Sequence, residues 1–208
     1  MEEFLPKLIS HSINGLSYVS PSYAAKLAVL VFSMPRGAQL DEDAQHYLSQ
    51  ANQKDVKVED FLIKTYQWSG SKGTILLLHG WDSNSFRWKD LIELLRQDDY
   101  NIISIDAPAH GASGNKIFNA PLYSRCINEV VKTFEPSIIV GHSVGGTAAA
   151  IALKNHKLPT IKKLALLGAP SNLDISVGNY VKIMKYRNRV HKAINRYYLK
   201  HFNHLPEY

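Results

Sequence analysis

One serine stands between two glycines in the run Gly141-His142-Ser143-Val144-Gly145. The apolar, β-branched residues Ile138–Val140 precede this run and the alanine-rich residues Thr147–Leu153 follow it, so it lies where a strand turns into a helix. A sharp turn of this kind exposes the Ser143 hydroxyl above the sheet. The start of the helix directs backbone N–H groups at the space where negative charge develops during acyl transfer. The pattern therefore predicts a nucleophilic Ser143, and the alternative is a serine that caps the helix.

Two other functions of a glycine-rich turn fail on specific residues. A dinucleotide site needs a glycine where Ser143 stands, and an acidic residue about 20 positions later. No Asp or Glu occurs between Glu135 and Asp174. A phosphate-binding loop needs lysine before its Ser or Thr, whereas Thr147 follows Gly146. The sequence therefore argues against both kinds of nucleotide site.

Two further loops carry polar residues after apolar strands. The strand Thr74–Leu78 ends in His79-Gly80-Trp81-Asp82, and the strand Tyr100–Ile105 ends in the loop Asp106–Ser113. Since the carboxyl ends of parallel strands meet at one edge of a sheet, we expect both loops to lie beside Ser143.

Strands and helices alternate through the middle of the chain. Predicted helices follow the first three strands, at Phe86–Arg96, Pro121–Phe134 and Gly145–Lys154. Near-continuous apolar strands in this alternation are typical of an α/β protein with a parallel sheet covered on both faces. The strands beginning at Thr74, Tyr100, Ser137 and Ile161 are predicted to be parallel neighbours, with Ser137–Val140 central.

The flanking regions differ from this core. Val56–Trp68 is predicted to form one or two antiparallel strands, and helices are predicted at Pro21–Ser33 and Asp41–Gln53. The predicted organisation has three parts: a helical extension over residues 1–55, the α/β core over 56–171, and the start of a helical cap over 172–208.

The composition limits the class of protein. The chain has 208 residues, 45% of them hydrophobic and 20% charged, which is typical of a globular domain. Cys126 is the one cysteine, so no internal disulfide can form. The apolar stretch Ala24–Met34 is too short to cross a bilayer, and Met1–Lys7 lacks the features of a signal peptide. We therefore expect a soluble, cytoplasmic protein without a transmembrane segment.

The net charge of +6 belongs to the C-terminal tail. From Ile175 onward there are seven Lys or Arg and one acidic residue, while basic and acidic residues balance in the rest of the chain. Tyrosines lie among these charges, so one alternative is that the tail forms a nucleic-acid-binding surface. The favoured interpretation is a helix around Tyr180–Phe202 with a solvated basic face, because Ile183, Val190 and Ile194 fall at helical spacing. No nucleic-acid partner is expected.

Over about Phe61–Ala169 the chain resembles the α/β-hydrolase family. The resemblance rests on His79-Gly80, on the loop Asp106–Ser113 and on the G-x-S-x-G run. The family's loop reads Asp-x-Pro-Gly-His-Gly-x-Ser, and this chain has Ala109 in place of the first glycine.

The resemblance implies a role for several site residues. The backbone N–H groups of Trp81 and Val144 would form an oxyanion hole, and Ser143 would be the nucleophile. His110 would be a structural loop residue, and His142 would point away from the hydroxyl.

The implied activity is serine-dependent hydrolysis of an ester, thioester or amide through an acyl-enzyme, on a small-molecule acyl substrate and without a cofactor or metal. The family carries its acid and its histidine after two further strands, which this sequence does not show. The acidic residues after Ser143 are Asp174 and Glu207, and the histidines there are His156, His191, His201 and His204.

Asp174 is a weak candidate for the acid, and the favoured interpretation is that it caps the next helix. The chain is therefore expected to be truncated within the cap. The alternative function is that of a truncated or degenerate, non-catalytic protein of this fold that binds a ligand or partner.

Overall fold

Six strands form one sheet in the computed structural model, which describes residues 4–36, 38–171 and 173–202. The strands are β1 (Asn52–Val58), β2 (Phe61–Trp68), β3 (Lys72–Leu78), β4 (Tyr100–Ile105), β5 (Ile138–His142) and β6 (Lys163–Leu167). Their order in the sheet is β1-β2-β4-β3-β5-β6. The pairs β4–β3, β3–β5 and β5–β6 are parallel, whereas β1–β2 and β2–β4 are antiparallel. The predicted run of four parallel neighbours, with the strand before Ser143 in its interior, is confirmed.

Eight helices accompany the sheet in the described residues. They are α1 (Phe4–Val19), α2 (Pro21–Phe32), α3 (Glu42–Leu48), α4 (Lys89–Gln97), α5 (Ala120–Phe134), α6 (Val144–Asn155), α7 (Leu173–Ile183) and α8 (Asn188–Phe202), with a 3-10 turn at Ser85–Trp88. The chain folds into two compact units, one made of Met34–Ala169 and the other of Met1–Ser33 with Pro170–Tyr208. The three-part domain organisation stays a prediction beside this division.

The sheet has an apolar core on each face. Successive residues of β3 point to opposite sides: Leu76 and Leu78 pack with residues of α5 and α6, while Ile75 and Leu77 pack with residues of α3 and α4. A strand buried on both faces reads as a continuous apolar run, which is why β3 lacks polar alternation. This arrangement confirms the predicted α/β architecture with helices on both faces.

The unit made of Met1–Ser33 and Pro170–Tyr208 is helical in its described residues and has a core of its own. That core is formed by α1, α2, α7 and α8, with Ala24 and Ala28 of α2 and Val190 of α8 fully buried. The Tyr180 hydroxyl donates a hydrogen bond to the Ala28 carbonyl at 2.8 Å. Alanines on α2 permit close approach of the helices, and burial of their neighbours stabilises the unit.

The predicted helix Asp41–Gln53 is wrong beyond Leu48. Asp41 caps α3 through its carboxylate, which accepts a hydrogen bond from the Ala44 N–H at 2.8 Å, but β1 already begins at Asn52. The polar β1 has a weak strand signal of its own, and its pairing with β2 over the full length of β1 decides its structure. The helix α1 was not predicted.

The single tail helix predicted around Tyr180–Phe202 is also wrong. Two helices occupy this region, and Lys185 between them has a left-handed backbone with φ of 50°. The turn changes the phase of the helical pattern, so Val190 and Ile194 are buried while Ile183 is 77% exposed.

Within the described part of the chain, no helix has the length and apolar character that crossing a membrane requires.

The strand β6 has one neighbouring strand in the described structure, and a row of its backbone groups faces outward. Leu167 on this edge is 44% exposed, and exposed apolar edge strands favour pairing between chains.

We predict that Leu167→Lys lowers aggregation, measured as light scattering of the purified chain at increasing concentration. Leu94→Lys on α4, where Leu94 is 61% exposed and lies away from any strand, is the control and should leave scattering unchanged. Equal scattering by the Leu167 variant and the unmodified chain would contradict the prediction.

Candidate active site

Ser143 adopts a backbone conformation that few residues with a side chain accept. Its φ is 51° and its ψ is −127°, directly between the end of β5 and the start of α6. Two interactions hold it there: the Ser143 N–H donates to the Leu167 carbonyl at 2.9 Å, and the Gly146 N–H donates to the Ser143 carbonyl at 3.0 Å. Such a conformation persists only where the surrounding structure enforces it, and this kind of strain is common at functional sites.

The structure contradicts the alternative in which Ser143 caps α6. Ser143 occupies the N-cap position, but its side chain makes no capping hydrogen bond. Asp41 and Asn119 stand at the same position of α3 and α5, and their side chains do accept such bonds. The half-buried Ser143 hydroxyl is therefore not used to satisfy the first turn of its own helix.

The flanking glycines allow the elbow to pack against neighbouring backbone. A Cβ atom on Gly145 would lie 2.4 Å from the His79 carbonyl oxygen, and one on Gly141 would lie 2.5 Å from the Gly146 Cα. Both positions exclude any side chain. The first contact also seats the start of α6 directly on the end of β3, the strand whose loop follows with Gly80.

The loop after β3 touches the elbow. A Cβ on Gly80 would lie 3.1 Å from the Ser143 Cβ, so the structure brings these two sequence motifs together. Trp81 follows in a turn and is partly exposed, and Val144 is the first residue of α6. The positions suit the predicted oxyanion donors, whose role stays a prediction.

His79 is fully buried and joins two loops. Its Nε2 accepts a hydrogen bond from the Ala107 N–H at 2.8 Å, which assigns the ring proton to Nδ1, 2.7 Å from the Gly80 carbonyl. Burial lowers the pKa of His79 to about 4. The neutral ring uses both nitrogens on backbone groups and is not available to Ser143 as a base.

His110 holds the loop after β4 in the same manner. Its Nδ1 lies 2.7 Å from the Pro108 carbonyl, and its Nε2 accepts from the Asp82 N–H at 3.0 Å. Burial lowers the pKa of this ring to about 4 as well. Both nitrogens again serve backbone groups, so the ring supports its loop and the turn that follows Trp81.

Asp106 is a buried carboxylate at the centre of the same loop. It accepts hydrogen bonds from the Tyr66 hydroxyl at 2.9 Å, the Ser85 N–H at 2.8 Å and the Ala112 N–H at 2.9 Å. Burial raises the pKa of Asp106, and the hydrogen bonds from the two backbone groups oppose that rise. Gly111 has φ of 52°, and a Cβ there would lie 2.1 Å from a carboxylate oxygen. The carboxylate therefore joins two backbone segments and the Tyr66 side chain.

Sequence reasoning missed Tyr66 and Ser85 as partners of Asp106. They lie 40 and 21 positions away, and no local pattern signals the contact. The antiparallel pairing of β2 with β4 brings Tyr66 opposite Ser104, next to the start of the loop. Tyr66 and Ser104 are both polar, and a polar pair inside a predicted sheet could have indicated a buried polar contact near the start of the loop.

His142 is half-buried, and its Nδ1 has no hydrogen-bond partner among the described residues. Burial lowers the pKa of the ring. A Cβ on Gly80 would lie 3.0 Å from the His142 Nδ1, so this ring faces the loop after β3. His156 follows the last residue of α6, at the far end of a 12-residue helix and about 20 Å from Ser143 along its axis.

Several other candidates lie at the limit of the description. Asp174 belongs to α7 and His201 to α8, but neither side chain is within the described part of the chain, and His204 and Glu207 lie outside the described residues. The described side chains include no group of three or more His, Cys, Asp or Glu that could hold a metal ion.

The fold and the strained serine agree with what the chain resembles. The chain belongs to the alpha/beta hydrolase family, whose sequence model matches residues 75–205. It is 34% identical over 91 residues to a serine hydrolase-like protein of Danio rerio, covering 40% of this chain and 28% of that protein. It is 26% identical over 139 residues to the phospholipase YtpA of Bacillus subtilis, covering 62% of this chain and 51% of that protein.

A solved structure shares the fold. The esterase EaEST of Exiguobacterium antarcticum matches with a TM-score of 0.55 and 23% identity, over 64% of this chain and 55% of the esterase. The family and these hydrolases place the chain in a hydrolase lineage, and the chain spans about half or less of the length of the two relatives described above.

Ala109 has a strained backbone at the position where the corresponding loop of the α/β-hydrolase family has glycine. Its φ is 63°, a region that costs a residue with a Cβ about 1 kcal/mol or more. We predict that Ala109→Gly raises the free energy of unfolding by about 0.5–1 kcal/mol, measured by urea denaturation. Ala150→Gly on the exposed side of α6 is the matched control and should lower it by a similar amount. Destabilisation by both substitutions would contradict the strain at Ala109.

The two buried histidines predict how stability depends on pH. With pKa values of about 4 in the folded chain and 6.5 when unfolded, the unfolded state binds more protons between these limits. Stability is therefore full above pH 6.5 and falls as the pH drops towards 4, by up to about 1.4 kcal/mol per pH unit for each histidine. Denaturation midpoints measured between pH 4 and 7 should show this loss. His110→Gln should show a shallower loss, and identical slopes would contradict the assignment.

Proposed function

We propose that this chain carries the nucleophile of a serine hydrolase that cleaves an ester, thioester or amide through an acyl-enzyme. The observation that carries the proposal is the left-handed backbone of Ser143, with a hydroxyl that makes no capping bond although it stands at a helix N-terminus. A strained turn of this kind costs stability and is found mostly at functional sites, which supports a functional use of the hydroxyl. Small-molecule acyl compounds are the substrate class that this chemistry takes.

The chemistry starts with attack of the Ser143 oxygen on the substrate carbonyl carbon, while a base takes the hydroxyl proton. The resulting oxyanion accepts hydrogen bonds from the N–H groups of Trp81 and Val144. Each such donor contributes on the order of a hundredfold or more in rate. The carbon–oxygen, carbon–sulfur or carbon–nitrogen bond then breaks, and the leaving group departs with the proton. Water attacks the acyl-enzyme in the same way and releases the acid.

The base and its acid are the parts that the described core does not supply. His79 and His110 use both ring nitrogens on backbone groups, and His142 faces Gly80. Asp174 is the weak candidate for the acid. In this proposal the base is a group other than the rings of His79, His110 and His142.

The proposed setting is the cytoplasm. Burial raises the pKa of the Cys126 thiol to about 12, so this free cysteine stays protonated and unreactive at neutral pH. A reducing compartment suits a chain without a structural disulfide.

A second candidate function is that of a non-catalytic protein of the same fold that binds an acyl ligand or a partner. The observation that favours it is that none of the rings of His79, His110 and His142 makes a hydrogen bond with the Ser143 hydroxyl. The two functions differ in whether Ser143 forms a covalent acyl adduct.

An assay with added imidazole separates the two functions. Without imidazole, we expect the 208-residue chain to hydrolyse a p-nitrophenyl ester little faster than its Ser143→Ala variant, because a serine without a base is a weak nucleophile. Added imidazole supplies a diffusible base, so the rate of the unmodified chain should rise above that of the variant. Mass spectrometry of the quenched reaction should find one acyl group on Ser143.

The Ser143→Ala variant also measures the background reaction of imidazole with the ester. His142→Gln is the matched control, since it alters the elbow while it leaves the proposed nucleophile in place. Equal rates for the unmodified chain and Ser143→Ala at every imidazole concentration, with no adduct, would overturn the nucleophile and favour the non-catalytic function. Fast Ser143-dependent hydrolysis without imidazole would show that the chain supplies its own base.

A further inference from the structure

The positive charge of the chain is concentrated in the helical unit. The segments 1–33 and 170–208 carry nine Lys or Arg and four acidic residues, a net charge of +5, while residues 34–169 carry +1. The acidic residues are Glu2, Glu3, Asp174 and Glu207, and none lies in the stretches 7–33 and 175–200. The Lys and Arg side chains of these two stretches therefore have no acidic residue among them in sequence, which favours binding of an anionic partner.

Two neighbouring depressions on this unit collect the cations. The first, about 670 Å³, lies between α1 and the turn that joins α7 to α8, and Lys185 and Arg187 line it together with Ile183. The second, about 550 Å³, is lined by Arg189, Lys192 and Arg196 among others. Tyr18 borders both depressions. The cations thus form one continuous surface around a tyrosine.

Tyr18 holds two of these cations in place. The Arg187 guanidinium donates a hydrogen bond to the Tyr18 hydroxyl at 2.7 Å, with its Cζ 5.7 Å from the centre of the ring. The Arg189 Cζ lies 5.5 Å from the same ring, and its Nε donates to the Ser17 carbonyl at 2.7 Å. A pre-ordered guanidinium loses less freedom on binding a phosphate than a free side chain does.

Exposed aliphatic side chains occur on the same helical unit. Ile183 is 77% exposed and borders the first depression, and Val19, which follows Tyr18 in α1, is 86% exposed. Leu8 and Val19 share a stripe of α1 with Gly15, where an added Cβ would meet no atom within 4 Å. Leu8, Gly15 and Val19 therefore lie open on one face of α1, which also carries the exposed polar residues His11 and Ser12.

We propose that this face of the helical unit binds the surface of a membrane that contains anionic phospholipids. Arg187, Arg189, Lys192 and Arg196 contact lipid phosphates, while Ile183 and Val19 enter the headgroup region. The combination of a basic surface with exposed aliphatic side chains is typical of interfacial binding. The proposal goes beyond the hydrolase function and does not depend on Ser143.

The aliphatic residues favour a lipid surface over a nucleic acid. Binding of single-stranded nucleic acid relies on exposed aromatic rings that stack with bases, and Ile183 and Val19 offer none. The exposed ring of Tyr18 is already engaged with two guanidinium groups. An aliphatic side chain gains free energy by leaving water for the acyl boundary of a bilayer.

Co-sedimentation of the 208-residue chain with vesicles tests the proposal. We expect binding to vesicles of phosphatidylcholine with about one third phosphatidylglycerol, weak binding to phosphatidylcholine alone, and loss of binding at high salt. Lys192→Gln with Arg196→Gln should weaken binding about 30-fold at low salt, since two cations are removed. Lys57→Gln with Lys116→Gln removes two exposed cations from residues 34–169 and should leave binding unchanged.

Tryptophan fluorescence tests which side chains enter the lipid. The emission of Ile183→Trp should shift to shorter wavelength when anionic vesicles are added. Leu94→Trp, at an exposed site on α4, is the control, and its emission should change no more than that of the unmodified chain. Equal binding to neutral and anionic vesicles, or no binding to either, would overturn the proposal. Two further results would overturn it. One is binding of duplex DNA with no change in tryptophan emission on adding vesicles, and the other is a change in the Ile183→Trp emission that occurs on self-association of the chain without vesicles.

Discussion

The close approach of α6 to the end of β3 is the constraint on which the candidate site depends. Position 145 must be glycine for the helix to begin here, because a Cβ at this position would lie 2.4 Å from the His79 carbonyl oxygen. Because the helix starts there, the backbone at Ser143 must turn sharply, and its φ becomes positive. The loop after β3 lies beside the serine, where a Cβ on Gly80 would be 3.1 Å from the Ser143 Cβ. The seat of α6 on the end of β3 therefore places the nucleophile candidate next to this loop.

Buried polar groups hold the rim of the site without taking part in its chemistry. His79, His110 and Asp106 each satisfy their polar atoms with hydrogen bonds, most of them from or to the backbone. A buried polar group with a full set of partners rigidifies its surroundings, whereas an unsatisfied one would destabilise them. The loops after β3 and β4 are therefore ordered by hydrogen bonds to the interior of the protein.

The sequence predicted the parts of the fold that depend on local pattern. The parallel strands carry unbroken apolar runs, and the G-x-S-x-G turn at Ser143 has a geometry that few residue types permit. The antiparallel strands predicted over Val56–Trp68 are confirmed. Prediction failed where distant contacts decide the structure: the polar residues 52–55 of β1 form a strand because β2 pairs with them, and the tail breaks at Lys185 although apolar residues continue at helical spacing. The partners of Asp106 were missed for the same reason. Local chemistry located the serine, and only the assembled sheet showed what surrounds it.

The hydrogen bond from the Ser143 N–H to the Leu167 carbonyl joins the elbow to the last residue of β6. A strand with one neighbour opens more readily than the interior of its sheet, and the free energy of that opening sets how fast its amide protons exchange with solvent. Because the Ser143 amide is protected through β6, its exchange follows the fraying of that strand rather than the stability of the central sheet. Anything that pairs with the open side of β6 therefore also slows the fluctuations of the backbone that carries the hydroxyl.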